Sequence, residues 1–240
     1  MFINYAHRGA SEYAPESTFA AFRLGLEMGA NGIETDVRAS KDGILILHHN
    51  AEIVTADGTV RNVCEMTLEE LQRIDLGVRK APEYAGERIV TLDDFLAEYA
   101  GKDLQLAIEI KQNGIEAQTV SFIRRFACAE KTVVTSFGYD ILEEVRRIAP
   151  DLRLGWLVRE VTEDVLQKAE ASGFYQICPK ADTLDEPTVA LLRKKGFSVR
   201  AWGVKDVPLM CRMLDLAVDG MTVNFPDKLT EETARRGIAL

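Results

Sequence analysis

Gly32-Ile33-Glu34-Thr35-Asp36-Val37 reads as an apolar strand carrying two carboxylates one residue apart. A strand turns alternate side chains to one face, so Glu34 and Asp36 point the same way. Two like charges on a buried face repel and are costly to desolvate unless a cation or a shared proton compensates them. A hard divalent cation is the simplest compensation. Taken alone, the pair reads more simply as a solvated strand end, so the segments on either side decide between the two.

Those segments alternate without interruption. Short apolar runs at 4–7, 32–37, 104–111, 132–136, 153–158, 175–178, 198–202 and 220–223 predict strands. Helical periodicity over 17–28, 92–99, 114–128, 139–148, 162–172, 186–195, 207–216 and 229–236 separates them. Eight strands alternating with eight helices predict an α/β chain folded as a (β/α)8 TIM barrel, a single domain spanning 1–240. One interval, 38–91, is too long for an ordinary loop and predicts a small insertion after the second strand, at about 50–91. Within this interval, Lys41-Asp42-Gly43 is a turn, 44–48 is a short strand able to pair back as a hairpin, and Thr67-Leu68-Glu69-Glu70 has the capping-box order of a helix running to about Ile74.

Composition narrows the partners. The net charge of -9 argues against nucleic acid, which is bound through clustered Lys and Arg. No run is apolar and long enough for stable membrane insertion, and the opening Met1-Phe2-Ile3-Asn4-Tyr5-Ala6 lacks signal-peptide character, so a cytoplasmic protein is expected. Cys64, Cys128, Cys178 and Cys211 are far apart without C-x-x-C spacing, which argues against zinc. The oligomeric state is not encoded in any feature of the chain.

In a barrel the C-terminal strand ends converge on one mouth. That gathers His7-Arg8-Gly9, the Glu34/Asp36 pair, Glu109-Ile110-Lys111 and His48-His49. Glu34, Asp36 and Glu109 form an oxygen-only ligand set suited to Mg2+ or Ca2+. With Arg8 and Lys111, a bound metal would make a positive pocket inside an acidic protein, fit for a phosphate group and for the charge of phosphoryl transfer. Cleavage of a phosphodiester needs a base and an acid, and histidine serves both near neutrality. His7 is one candidate. His48 and His49 alternate faces, so at most one of them joins it.

His7-Arg8-Gly9-Ala10, Pro15-Glu16-Ser17-Thr18, Glu34-Thr35-Asp36-Val37, Lys41-Asp42-Gly43, His49 and Ile108-Glu109-Ile110-Lys111 together resemble the glycerophosphodiester phosphodiesterase family. The likeness runs on through Trp202-Gly203-Val204 and Gly220-Met221-Thr222-Val223-Asn224-Phe225-Pro226-Asp227. The resemblance implies a barrel with an insertion after its second strand and a divalent metal, Mg2+ or Ca2+, on Glu34, Asp36 and Glu109. It also implies catalytic histidines at His7 and His49, with His49 chosen over His48 by its offset from the Lys41-Asp42-Gly43 turn. The implied reaction is hydrolysis of a glycerophosphodiester to glycerol 3-phosphate and an alcohol through a cyclic phosphate, and the implied partner is that small-molecule substrate.

Less sharply defined are Glu16, which could ligate the metal, cap a helix or, as we favour, orient Arg8; Phe137 and Trp202, which could wall the glycerol side or belong to the core; and the loop residue Lys180. Two positions depart from the family pattern: Ser17 stands where Asn is usual, and Asn50 where Asp is usual. Ser17 suits a helix N-cap, whereas Asn50 removes a charge beside His49 and so should lower that histidine's pKa. The competing readings are a bulkier substrate, such as a lysophospholipid, and a non-catalytic phosphate-ligand binder.

Overall fold

The computed structural model describes residues 1–55 and 58–240. In chain order its strands are β1 (Ile3–His7), β2 (Gly32–Ala39), β3 (Leu45–Leu47), β4 (Glu52–Val54), β5 (Val60–Asn62), β6 (Gln105–Ile110), β7 (Thr132–Ser136), β8 (Arg153–Val158), β9 (Gln176–Pro179), β10 (Ser198–Val204) and β11 (Gly220–Val223). The helices are α1 (Phe19–Glu27), α2 (Leu68–Gln72), α3 (Leu92–Tyr99), α4 (Glu116–Arg125), α5 (Tyr139–Ile148), α6 (Glu163–Ala171), α7 (Glu186–Lys194), α8 (Val207–Asp215) and α9 (Pro226–Arg236). Strands β1, β2, β6, β7, β8, β9, β10 and β11 pair in parallel, and β1 pairs with both β11 and β2, which closes the (β/α)8 barrel.

Strand composition explains the layering. Outward residues such as Ile33, Val37, Ile108, Ile110, Val134 and Leu154 are buried against the helices in one continuous apolar layer. Part of this layer is aromatic: Phe22 of α1 meets Phe95 of α3 with centroids 4.9 Å apart, and Tyr99 lies 5.0 Å from Phe95. Inward positions of β2 and β6 are instead acidic. The register sets His7 opposite Glu34 and Asp36 opposite Glu109. The barrel therefore juxtaposes these groups through backbone pairing, before any side chain is placed.

The excursion after β2 has its own logic. β3 returns antiparallel to β2, as the turn at Lys41-Asp42-Gly43 implies. β4 and β5 then form a hairpin that the alternation does not reveal, because both strands are only three residues long. Ile46, Ile53, Val63, Met66, Leu71, Ile74 and Ile89 pack into a second, smaller core beneath it. The capping box at Thr67 and Glu70 forms, but α2 ends at Gln72 with Arg73 as its cap, short of Ile74.

Several boundaries shift for local reasons. α9 starts at Pro226, where a ring without an N–H suits the first turn. The Ser17 expectation is corrected: α1 is capped by Thr18, whose hydroxyl accepts from the Ala21 N–H. Ser17 lies at φ 58°, in the left-handed region, and its N–H donates to the Arg8 carbonyl at 2.9 Å. Asn tolerates that conformation better than Ser does, which accounts for the family's usual residue there.

The loop from β1 to α1 is tight throughout. Arg8 sits at φ 54° and Gly9 at φ 83°. A Cβ on Gly9 would lie 2.3 Å from the Ala21 carbonyl carbon, so the loop rests directly on the α1 backbone. Gly9→Ala must displace one or the other. It should cost about 2 kcal/mol or more of unfolding free energy in denaturant titration, through left-handed strain and the backbone clash.

Candidate active site

The mouth is built around the acids. Carboxylate oxygens of Glu34, Asp36 and Glu109 lie within 4.8 Å of one another, and all three residues are buried. Arg8 turns its Nε to within 2.9 Å of Asp36 Oδ2 and its Nη1 to within 3.0 Å of Glu16 Oε2. Lys111 Nζ sits 2.7 Å from Glu109 Oε1 and 3.5 Å from Asp36 Oδ1. Glu16 is thus brought against Arg8, as an orienting group would be. The left-handed backbone of Arg8 lets its side chain reach Asp36 while its N–H donates to the Glu34 carbonyl at 2.9 Å.

This compensation leaves oxygen lone pairs free. Glu34 Oε2 and both Asp36 oxygens are buried without a hydrogen-bond partner; the Arg8–Asp36 contact is close but poorly aligned. Orphaned buried carboxylate oxygens on three converging acids fit a divalent cation bound through oxygen. Among the described residues this is the one such group of potential ligands. Protonation follows the same balance. Burial, with the charges of Asp36 and Glu109, pushes Glu34 well above the usual carboxylate range. Glu109 is pushed up to about 7 by burial and by Asp36. Burial alone would also raise Asp36, but Arg8 and Lys111 outweigh it and hold Asp36 below its ordinary value.

Both expected histidines reach the mouth. His7 Nδ1 lies 2.5 Å from Asn224 Oδ1, and its Nε2 is 3.8 Å from Glu34 Oε2. His49 Nδ1 lies 2.9 Å from Asn50 Oδ1. With an amide oxygen as acceptor, each Nδ1 carries the proton and each Nε2 is left for exchange. His48 turns away, its Nε2 3.1 Å from the Glu52 carbonyl. Burial, reinforced by Arg8, pushes His7 down to about 4. His49 is also lowered, chiefly by burial, while its bond to Asn50 acts in the opposite direction. Desolvation, rather than Asn50, is therefore what lowers His49 here.

A cavity of about 310 Å³ opens here, lined by His7, Arg8, Glu34, His49 and Glu109 on one side and by Phe137, Leu157 and Trp202 on the other. The Phe137 and Trp202 rings meet edge to face, centroids 5.1 Å apart, and Trp202 Nε1 donates to the Val158 carbonyl. Lys111 is absent from that lining, its ammonium directed to the acids and 5.8 Å from the Phe137 ring. Lys180 pairs with Asp182 on the surface. Sequence reasoning missed Asn224, Thr222 and Arg200. Arg200 was findable, since it lies two residues before Trp202 and so on the same strand face. Asn224 lies beyond β11, where no periodicity speaks.

Comparison with known proteins extends the likeness. Residues 7–228 match the model of the "Glycerophosphoryl diester phosphodiesterase family". A protein of Caldanaerobacter subterraneus subsp. tengcongensis named glycerophosphodiester phosphodiesterase is 32% identical, over 97% of this chain and 98% of its own length. The crystal structure of glycerophosphodiester phosphodiesterase from Agrobacterium tumefaciens superposes with a TM-score of 0.84 at 25% identity, covering 96% of this chain and 100% of that one. An Oleispira antarctica phosphodiesterase, solved in complex with the product sn-glycerol-3-phosphate, shares the fold with a TM-score of 0.86 at 24% identity, over 97% and 96% of the two chains. Among the described residues no helix is long and apolar enough to cross a membrane.

The Asn224 contact can be tested directly. Asn224→Asp puts a carboxylate against His7 Nδ1, which favours the charged ring, so the His7 pKa should rise from about 4 by at least about one unit. The pH titration of the His7 ring resonances would read the shift, and an unmoved midpoint would mean that Asn224 does not govern the ring.

Proposed function

The chain belongs to the glycerophosphoryl diester phosphodiesterase family, and from that premise we propose how its residues hydrolyse glycerophosphodiesters to glycerol 3-phosphate and an alcohol. The observation that carries the reading is the convergence of His7, His49, Glu34 and Glu109 on one cavity, with Asp36 completing the acid cluster behind them. Residues 1–240 act as one catalytic domain. Glu34, Asp36 and Glu109 would hold a divalent cation, Mg2+ or Ca2+, which would supply charge stabilisation to the phosphate and acidify an oxygen bound to it.

His7 and His49 do the proton work as a pair. One neutral ring takes the proton of the glycerol 2-hydroxyl on Nε2 as that oxygen bonds to phosphorus, and the other ring, entering the step as imidazolium, gives its Nε2 proton to the departing alcohol oxygen as its bond to phosphorus breaks. Water then attacks phosphorus, giving a proton to the ring that acted as acid, while the P–O2 bond breaks and the ring that acted as base returns its proton to the 2-oxygen, leaving glycerol 3-phosphate and both rings in their starting states. The neutral partners Asn224 and Asn50 orient the rings without fixing a charge on them. Arg8, held by Glu16 and Asp36, faces the phosphate from the cavity wall, while Lys111 serves it less directly by balancing Asp36 and Glu109. Phe137 and Trp202 wall the apolar backbone of the glycerol.

Hydrolysis of glycerophosphocholine should need Mg2+ or Ca2+ and stop in EDTA; undiminished turnover in EDTA would remove the metal from the reaction. Because Glu109 titrates at about 7 in the metal-free protein, a cation must displace its proton below that pH. Glu34, likewise raised by burial and its acidic neighbours, adds a second proton to displace, so metal affinity should climb with pH through this range by about tenfold per unit for each proton released; calorimetric metal titrations in buffers of different ionisation enthalpy would measure this, and a pH-independent affinity would mean that the acids are already charged before the metal binds. His7→Ala and His49→Ala should each lower kcat by at least about 10²-fold. A variant that keeps wild-type kcat would take its histidine out of the acid–base pair.

A further inference from the structure

Two arginines line the cavity, and they are paired very differently. Arg8 spends its guanidinium on Asp36 and Glu16. Arg200, only 1% exposed, has no carboxylate within ion-pair distance among the described residues. Its Nη1 donates to Thr222 Oγ1 at 3.3 Å, its Nη2 lies 3.6 Å from Cys178 Sγ, and its guanidinium carbon sits 5.1 Å from the centre of the Tyr5 ring. Its Nε has no partner. A guanidinium has five N–H donors, and here a hydroxyl, a thiol and an aromatic face are all that meet them.

Burying a cation so thinly paired is costly unless an anion completes it. Arg200 rises from β10 inside the barrel, level in register with Gly220 of β11 and Ile3 of β1, which puts its backbone four residues below His7 along β1. Its head therefore comes up from beneath into the floor of the cavity that His7, Glu34 and Glu109 border. A phosphoryl oxygen would repay the buried charge; a neutral hydroxyl would repay it far less.

We propose that Arg200 is a substrate-contacting residue whose unspent N–H donors take a phosphoryl oxygen of the substrate and of the glycerol 3-phosphate product. This rests on the phosphodiesterase reading above. Thr222 is its positioning residue, holding the guanidinium plane through Nη1. Arg8 then compensates the acids by direct contact, whereas Arg200 acts on Glu34 and Glu109 only at a distance and keeps N–H donors that no carboxylate takes.

Calorimetric titration of inorganic phosphate into the metal-loaded protein tests the contact, alongside a titration of the metal itself. Arg200→Gln should weaken phosphate by at least about tenfold and leave metal affinity unchanged or tighter, because a competing positive charge has gone. If Arg200→Gln proves unfolded by circular dichroism, Arg200→Lys keeps the charge but loses the fork and should weaken phosphate several-fold. Phosphate affinity equal to wild type in the folded variant overturns the proposal. So does an absence of phosphate binding by the wild-type protein, or a variant that loses inhibition by free glycerol instead, which would place Arg200 against the carbon-side hydroxyls. The phosphodiesterase reading fails separately, if wild-type protein leaves glycerophosphocholine intact with either metal.

Discussion

Three carboxylates share the inner face of neighbouring strands, and their mutual repulsion sets the terms for everything around the mouth. Backbone register brings Asp36 beside Glu109, while Glu34 stands one inward position earlier on β2. No rotamer change can separate them far. The protein answers with Arg8 and Lys111, which favour the charged form of Asp36, and it lets Glu34 and Glu109 hold their protons more tightly than exposed acids do. The cluster is thus partly neutralised by fixed cations and partly by protons. A divalent ion would replace the protons and leave the fixed cations in place.

The fold was legible because its cause is repetitive. Each barrel strand is an apolar run followed by a helix, and several of those helices open on a side-chain cap, as at Thr18, Thr162, Asp185 and Asp206. The acids were legible too, because period two on β2 and β6 dictates their common face. What escaped was whatever depends on reach. Asn224 meets His7 across 217 positions of sequence, and no local pattern encodes that meeting. Arg200 shares a strand face with Trp202 by period two, but its depth, 1% exposed, is a tertiary fact that the strand pattern does not state. The β4–β5 hairpin was lost for another reason: two three-residue strands leave almost no alternation to read.

The β1–α1 loop shows why the departure at Ser17 matters structurally. Arg8 and Ser17 both occupy the left-handed region, and the Ser17 N–H donates to the Arg8 carbonyl. Strain of this kind persists only where surrounding contacts over-determine it. Here those contacts are Gly9 against α1, the ion pair of Arg8 with Asp36, and the buried Thr18 cap. The loop is a clasp that fixes the Arg8 head, and Asn in place of Ser17 would close the same clasp with less strain.

The cavity lining has a division of labour along the chain. His7, Arg8, Glu34, His49 and Glu109, with Asp36 and Lys111 behind them, come from residues 7–111, whereas Phe137, Leu157, Arg200, Trp202, Gly203 and Thr222 come from residues 137–222. One half-barrel holds the histidines and the acids, and the other gives the chamber its shape and, in Arg200, the cation on its floor. Exchange of side chains in the later half would remould the chamber while leaving the proton-transfer groups and the acid cluster in place. Substrate range and proton transfer can therefore change separately except at two ties: Asn224, the later half's hold on His7, and Arg200 beneath the phosphate.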